Sequence, residues 1–245
     1  MVEFTAVSLL RCSINVADPS YSNVVFLAGF EGANGATTYR EEANGRAGNL
    51  VASAQIDASQ FKFGVSSLGL SGITDTIQFV DNPDWDLSSA NSDQFTIEGF
   101  CRFASISTFT RGIIAHGNTI GSWSWGLQLT SGSTSNLTFD FSLDGSTVVS
   151  TNTSGGTISL NQWFAFAVDK DSGGKIRVYI NGVMLGSSTP ANSAFFDSTA
   201  HLQIGTSPGG GPMNGWIDEV RITKGLARYA SDSGYTVTTD PFPRF

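Results

Sequence analysis

Retaining hydrolysis of a glycoside needs two carboxyl groups about 5 Å apart, and acids on one face of a strand supply that spacing. The glutamates of this 245-residue chain are Glu3, Glu31, Glu41, Glu42, Glu98 and Glu219, and none is followed two positions later by Asp or Glu. The only histidines, His116 and His201, stand in no Ser-His-Asp or zinc-binding context. His116 ends an apolar run before Gly117-Asn118 and reads as an ordinary loop-edge group. No residue is assigned a catalytic role, and a non-enzymatic protein is expected.

Binding chemistry has more to work with. In "GWIDEVRI", Ile217 and Val220 flank Asp218 and Glu219, so one of the two acids is expected to be drawn towards an apolar interior. A buried carboxylate needs a partner. Backbone amides or Arg221 would satisfy Asp218; the functional alternative is a calcium ion shared with Glu31 of "GFEG" and backbone carbonyls, since calcium takes six or more oxygens. Trp123 and Trp125 in "GSWSWG" lie two apart and share a face, which makes them either core residues or a stacking platform for a glycan. The acids of "DKDSGG" suit a hairpin loop, and Trp85 of "PDWD" is expected under a sheet edge.

The elements that must position these residues are strands. Ile176, Val178 and Ile180 alternate with Arg177 and Tyr179, then Asn181-Gly182 precedes a second apolar run. That pattern predicts an antiparallel hairpin with positive φ at both turn residues. Asp144-Gly145 predicts a second hairpin of the same kind. Further strands are expected near residues 24–29, 66–70, 76–80, 95–103, 112–116, 124–130, 137–143, 146–150, 163–169, 200–204 and 215–223, with a short helical turn near 52–60. The tail from Leu226, with Pro241 and Pro243, should run extended over the surface. With 40% hydrophobic residues, 18 Phe, 28 Gly and no amphipathic helix, the chain reads as an all-β, two-sheet antiparallel sandwich.

Residues 1–22 read as an arm and 23–245 as one domain. Phe4, Val7, Leu9 and Leu10 of the arm lie outside the expected sandwich and form an apolar assembly contact, which favours a particle or homo-oligomer over a free monomer. A net charge of -8 and scattered basic residues argue against nucleic acid. No run reaches the length of a membrane span. The N-terminus lacks the features of a secretory signal, and Cys12 and Cys101 have no metal-type spacing, so synthesis in a reducing cytoplasm is expected.

Four segments in register, "KFGVSSLGLSG", "DTIQFVDNPDWDLSSANSDQFTIEGFCRF", "LNQWFAFAVDKDSGGKIRVYINGVMLGSS" and "LQIGTSPGGGPMNGWIDEVRITKGLARY", resemble the laminin-G-like or concanavalin A-like jelly-roll domains. The flanks "DPSYSNVVFLAGFEGANGATTY" and "PFP" are similar to the variant found in tailed-bacteriophage structural proteins. The resemblance implies a jelly roll, calcium in part of the family, and a virion location after synthesis in the host cytoplasm. It also implies partners among other virion proteins of capsid or tail. Glucan hydrolases of this topology carry E-x-D-x-x-E, which is absent here. The His that often follows the Trp of the "W-x-H-V-A" strand is also missing: Trp163 is followed by Phe164 and Ala165. The expected role is capsid decoration or cementing; the alternative is a carbohydrate-binding fibre or adhesin module that recognises host polysaccharide.

Overall fold

A computed structural model describes residues 17–72, 74–106, 111–117, 121–130, 136–208 and 210–245. Phe4, Val7, Leu9, Leu10 and Cys12 lie outside the described residues. The strands are β1 (Val24–Ala28), β2 (Thr38–Arg40), β3 (Ala47–Val51), β4 (Gln55–Asp57), β5 (Ser67–Ser71), β6 (Thr76–Phe79), β7 (Phe95–Ser105) and β8 (Arg111–His116). They continue as β9 (Trp125–Leu129), β10 (Leu137–Ser142), β11 (Val148–Asn152), β12 (Phe164–Lys170), β13 (Ile176–Ile180), β14 (Val183–Ser188), β15 (Leu202–Ile204) and β16 (Asn214–Lys224).

One sheet runs β14-β13-β12-β7-β16-β5-β4, with β1 also paired to β16; the other runs β11-β10-β9-β8-β15-β6-β3-β2. Every ladder between these strands is antiparallel, and the two sheets enclose a core that includes Phe26, Phe79, Trp85, Phe95, Trp125 and Phe139. Trp85 is buried, as its sequence context suggested.

The Asn181-Gly182 turn has the expected geometry, with φ of 51° and 80°. Gly182 is needed twice over, because a Cβ there would lie 2.2 Å from the Tyr235 carbonyl of the tail. The turn at Asp144-Gly145 differs from expectation. β10 and β11 are joined by residues 143–147, not by two residues. The Asp144 carboxylate accepts from the Ser146 and Thr147 amides at 2.8 and 2.7 Å, which stabilises a wider loop than a two-residue reversal. The helical turn expected near 52–60 is instead β4, because Ile56 is buried and pairs with Leu68 of β5.

β16 organises the first sheet. One edge pairs with β7 along its length; the other pairs with β5 through Asn214–Ile217 and with β1 from Val220 to Thr223. At the changeover the register to β7 shifts between Asp218 and Arg221, and Glu219 has φ 51°. This is a β-bulge, with one extra residue that breaks the alternation of faces. Ile217, Val220 and Ile222 therefore point into the core, while Asp218 and Glu219 both turn to the outer side of the sheet.

That outer side is covered. Val24, Leu27, Phe100, Ala165 and Phe242 form a second buried cluster, with Phe63, Trp163 and Val237 packed against it. The tail has no strand but is a structural cover: Phe242 is buried beside Phe100, with ring centroids 6.1 Å apart. Burying one such ring contributes about 1.5–3 kcal/mol. At the other end, Asp18 belongs to the body, since its amide donates to the Phe245 carbonyl at 2.8 Å and its carboxylate accepts from Arg221 and Arg228.

Candidate functional site

Asp218 is fully buried, but under the outer layer and not between the sheets. Its Oδ2 accepts from the Lys62 and Phe63 amides at 2.7 and 3.1 Å, while Oδ1 has no partner. Burial pushes its pKa up to about 7, against the pull of those amides. Glu31 accepts from the Val65 amide. Of the two simple partners expected for Asp218, backbone amides are present. Arg221 is not one, because it lies directly across from Glu98 of β7 and donates to it at 2.8 and 3.0 Å.

The residues do not fit a calcium ion. Among the described residues no three His, Cys, Asp or Glu side chains converge to hold a metal. Where acids do converge, on Glu42 and Glu219, the cation is Arg244 of the tail. Its Nε lies 2.6 Å from Glu42 Oε2, and its two terminal nitrogens bond both oxygens of Glu219.

Of the tryptophan pair only Trp125 joins the core between the sheets; Trp123 is buried on the other face, its Cζ2 lying 3.6 Å from where a Cβ of Gly126 would stand. Trp125 is fully buried and donates its Nε1 to the Trp85 carbonyl at 2.8 Å; Trp123 is 7% exposed. Indoles without an open face have none to lay against a sugar ring, so these two form no glycan platform in this conformation.

An open site exists elsewhere. A cleft of about 620 Å³ is lined by Pro83, Asp86, Leu87, Ser88, Ser89, Ser92, Asp93, Gln94, Ser124, Phe195, Phe196, Asp197, Lys224 and Gly225. These residues come from the ends of β7 and β16, the segment before β9, and the long connections before β7 and β15. One wall is fixed by Lys170 of β12. Its fully buried ammonium donates to the carbonyls of Ala90, Asn91 and Asp93 at 3.2, 2.7 and 2.6 Å. Ser88 Oγ ties the same wall to the Ser193 carbonyl at 2.6 Å.

The cleft is acidic. Burial raises the Asp86 carboxyl to about 6, and the neighbouring Asp197 and Asp81 reinforce the shift. Behind it sits His116, fully buried, with Nε2 3.1 Å from the Ala200 carbonyl and 3.2 Å from Asp81. A carbonyl only accepts, so the proton sits on Nε2 and Nδ1 presents a lone pair 3.9 Å from Asp86 Oδ1. His116 is thus a buried network residue and not the loop-edge group its sequence context suggested. Asp86 Oδ1, Ser124 Oγ and His116 Nδ1 have no hydrogen-bond partner. Asp86, Asp197 and His116 are distant in sequence and share no motif; nothing short of the folded topology brings them together.

Two stacked antiparallel sheets with β16 at the centre of one define a concanavalin A-like jelly-roll sandwich. The chain belongs to the Laminin_G_3 family of the concanavalin A-like lectin/glucanases superfamily, whose model matches residues 71–228. Among solved structures it is similar to the binding domain of Paraclostridial Mosquitocidal Protein 1 (TM-score 0.64, 16% identity, covering 84% of this chain and 50% of that one). It is similar also to the botulinum neurotoxin serotype D binding domain (TM-score 0.63, 14% identity, 86% and 50%). A third is the binding domain of botulinum neurotoxin DC in complex with rat synaptotagmin II (TM-score 0.62, 16% identity, 85% and 50%). The chain spans about half the length of these structures, and at such identities the likeness is one of fold. Among curated proteins none matches the sequence. No helix of the described residues is long and apolar enough to cross a membrane.

Proposed function

We propose that the chain is a non-enzymatic structural protein of a tailed-bacteriophage virion, a decoration or cement protein displayed on the particle surface. The resemblance of the flanking segments to phage structural proteins supports the setting. One observation supports the absence of catalysis: every glutamate among the described residues is committed to a structural partner. Glu31 holds the Val65 amide, Glu41 holds the amides of Ala43, Asn44 and Arg46, Glu42 and Glu219 hold Arg244, and Glu98 holds Arg221 and Tyr229.

Docking falls to the arm. Asp18 pairs with Arg221 and Arg228, so the sandwich holds the chain from that residue onward. Deleting residues 1–16 therefore spares the fold while removing Phe4, Val7, Leu9 and Leu10. Particles assembled with the shortened chain should lose it from their surface; full occupancy would overturn the docking role.

A further inference from the structure

We propose that the folded chain joins Ser207 to Gln128 through an intramolecular ester, a self-made covalent tie on the outer face of the second sheet. Leu127, Leu129, Phe139 and Phe141 point into the core, so Gln128 and Asp140, which alternate with them, point outward. Ser207 Oγ donates to Gln128 Oε1 at 2.7 Å, and Gln128 Nε2 donates to Asp140 Oδ2 at 2.6 Å. A carboxylate accepts, so Asp140 fixes which end of the amide is the nitrogen. A nucleophile stands at the carbonyl and a proton carrier at the leaving group. Transfer of an acyl group from nitrogen to oxygen requires both.

The fold holds the three groups in place. Gln128 pairs in register with Gly112 of β8 and Thr138 of β10. A Cβ at Gly112 would lie 2.1 Å from the Ser207 nitrogen, so the loop backbone rests directly on that glycine. The Gly112 amide donates to the Gly211 carbonyl at 3.0 Å and Arg111 donates to the Pro212 carbonyl at 2.7 Å, which clamps the same loop to β8. Ser150 holds the other oxygen of Asp140. Ser207 is 3% exposed and Asp140 5%, so water, the competing nucleophile, has little access. Burial also raises the Asp140 pKa, against the pull of Ser150 and Gln128, which suits it to carry a proton.

In the reaction Ser207 Oγ bonds to Gln128 Cδ and the Cδ–Nε2 bond breaks. The Asp140 carboxyl gives a proton to Nε2 and regains one from the serine hydroxyl. Hydroxyl plus amide therefore become ester plus ammonia, with Asp140 unchanged and neither oxidant nor cofactor consumed. An ester is less stable than an amide, but ammonia leaves as dilute ammonium and draws the exchange forward. Contact in the folded state replaces a bimolecular encounter, an advantage that reaches effective molarities of roughly 10⁵–10⁸ M in well-oriented pairs. The event happens once per chain, so it is compatible with a protein that transforms no other molecule. Its product links positions 79 apart and ties the loop that feeds β16, in the first sheet, to β9 of the second.

The test is intact-mass spectrometry of the full chain, fresh and after prolonged incubation at mildly acidic and neutral pH. The wild-type chain should become lighter by one ammonia, and peptide mapping should recover Gln128 and Ser207 in one cross-linked species that hydroxylamine cleaves. Succinimide formation at an Asn-Gly step such as Asn34-Gly35 also releases ammonia, so Ser207→Ala is the deciding variant: it should yield no cross-linked species and keep its full mass. Asp140→Asn should slow the linkage roughly tenfold or more while far-ultraviolet circular dichroism stays unchanged. If Asp140→Asn fails to fold, Ser207→Ala and the peptide map carry the test. An unchanged wild-type mass, an ammonia loss that Ser207→Ala retains, or a cross-link that maps elsewhere would each overturn the proposal. Linkage at the wild-type rate in Asp140→Asn would overturn the part given to Asp140. None of those outcomes touches particle docking, which is read from occupancy of the arm-deleted chain.

Discussion

Arg244 grips Glu219 through two parallel hydrogen bonds, NH1 to Oε2 at 2.7 Å and NH2 to Oε1 at 2.6 Å. The carboxylate is almost fully buried, and the Phe242 amide adds a third bond at 2.9 Å. Planar guanidinium matches planar carboxylate, so the pair is specific as well as strong. The β-bulge puts Glu219 on the outer face, and the tail then delivers a cation to it.

Arg244→Ala should leave Glu219 buried and unpaired. Breaking a buried pair in this way costs about 3–5 kcal/mol; water reaches Arg244, so the low end is expected. Urea denaturation measures the loss, and adding Glu219→Gln should restore part of it by removing the orphaned charge. A loss under about 1 kcal/mol would mean that the tail is not clamped here. Because Arg244 already supplies the charge, millimolar calcium or a chelator should leave the wild-type melting point where it is.

Gly29→Ala should have the same effect by a different route. A Cβ at Gly29 would lie 2.3 Å from Arg244 NH2, 2.9 Å from Glu219 Oε1 and 3.0 Å from Glu42 Oε1. The backbone conformation there suits alanine, so the cost is the clash alone. Once Arg244 is truncated most of the clash is gone. The double variant should therefore be less destabilised than the sum of the singles, by about 1 kcal/mol or more. Additive losses would count against the shared site.

Asp218→Asn isolates a buried charge. The amide keeps an oxygen for the Lys62 and Phe63 amides and places its NH2 where Oδ1 has no partner. The wild-type group has its pKa raised from 3.8 to about 7. A raised acid binds its proton more tightly in the folded state. Its contribution to stability therefore falls as pH rises from 3.8 to about 7, and is level above that. The variant should match wild type near pH 4 and melt higher at pH 8, by roughly 2–6 °C. A lower melting point at pH 8 would show that the carboxylate, as a charge, holds the loop.

Most strands were legible because period-two runs bounded by glycine survive any packing detail; β7, β10, β12 and β13 lie where alternation put them. What escaped was set by the tertiary fold. β4 has three residues and earns its place by burying Ile56 against β5, which no local pattern announces. Asp218 was legible as a buried acid, but its face was not, since the bulge at Glu219 reverses the parity that the apolar neighbours imply. Trp123 and Trp125 are two apart but do not share a face, because β9 begins only at Trp125 and strand parity does not reach back to Trp123. The cleft joins Asp86, Ser124 and Asp197 through three separate loops. Glycines and prolines mark such loops as turns without saying which ones meet.

Lys170→Met tests whether the cleft wall is built from behind. The side chain pairs in register with Phe95 and is fully buried, so its stem suits methionine, but three carbonyls of residues 90–93 would lose their donor. Each unsatisfied buried group costs about 1–3 kcal/mol, though these carbonyls can turn partly to water once the loop moves. A global loss of roughly 2–4 kcal/mol is expected, accompanied by a local signature. Amide exchange of residues 88–94 should quicken far more than that of β12 and β13, because the ammonium is what draws that loop onto the sheet. Uniform acceleration across the sheet would assign Lys170 to general packing and leave the wall to the Ser88–Ser193 bond.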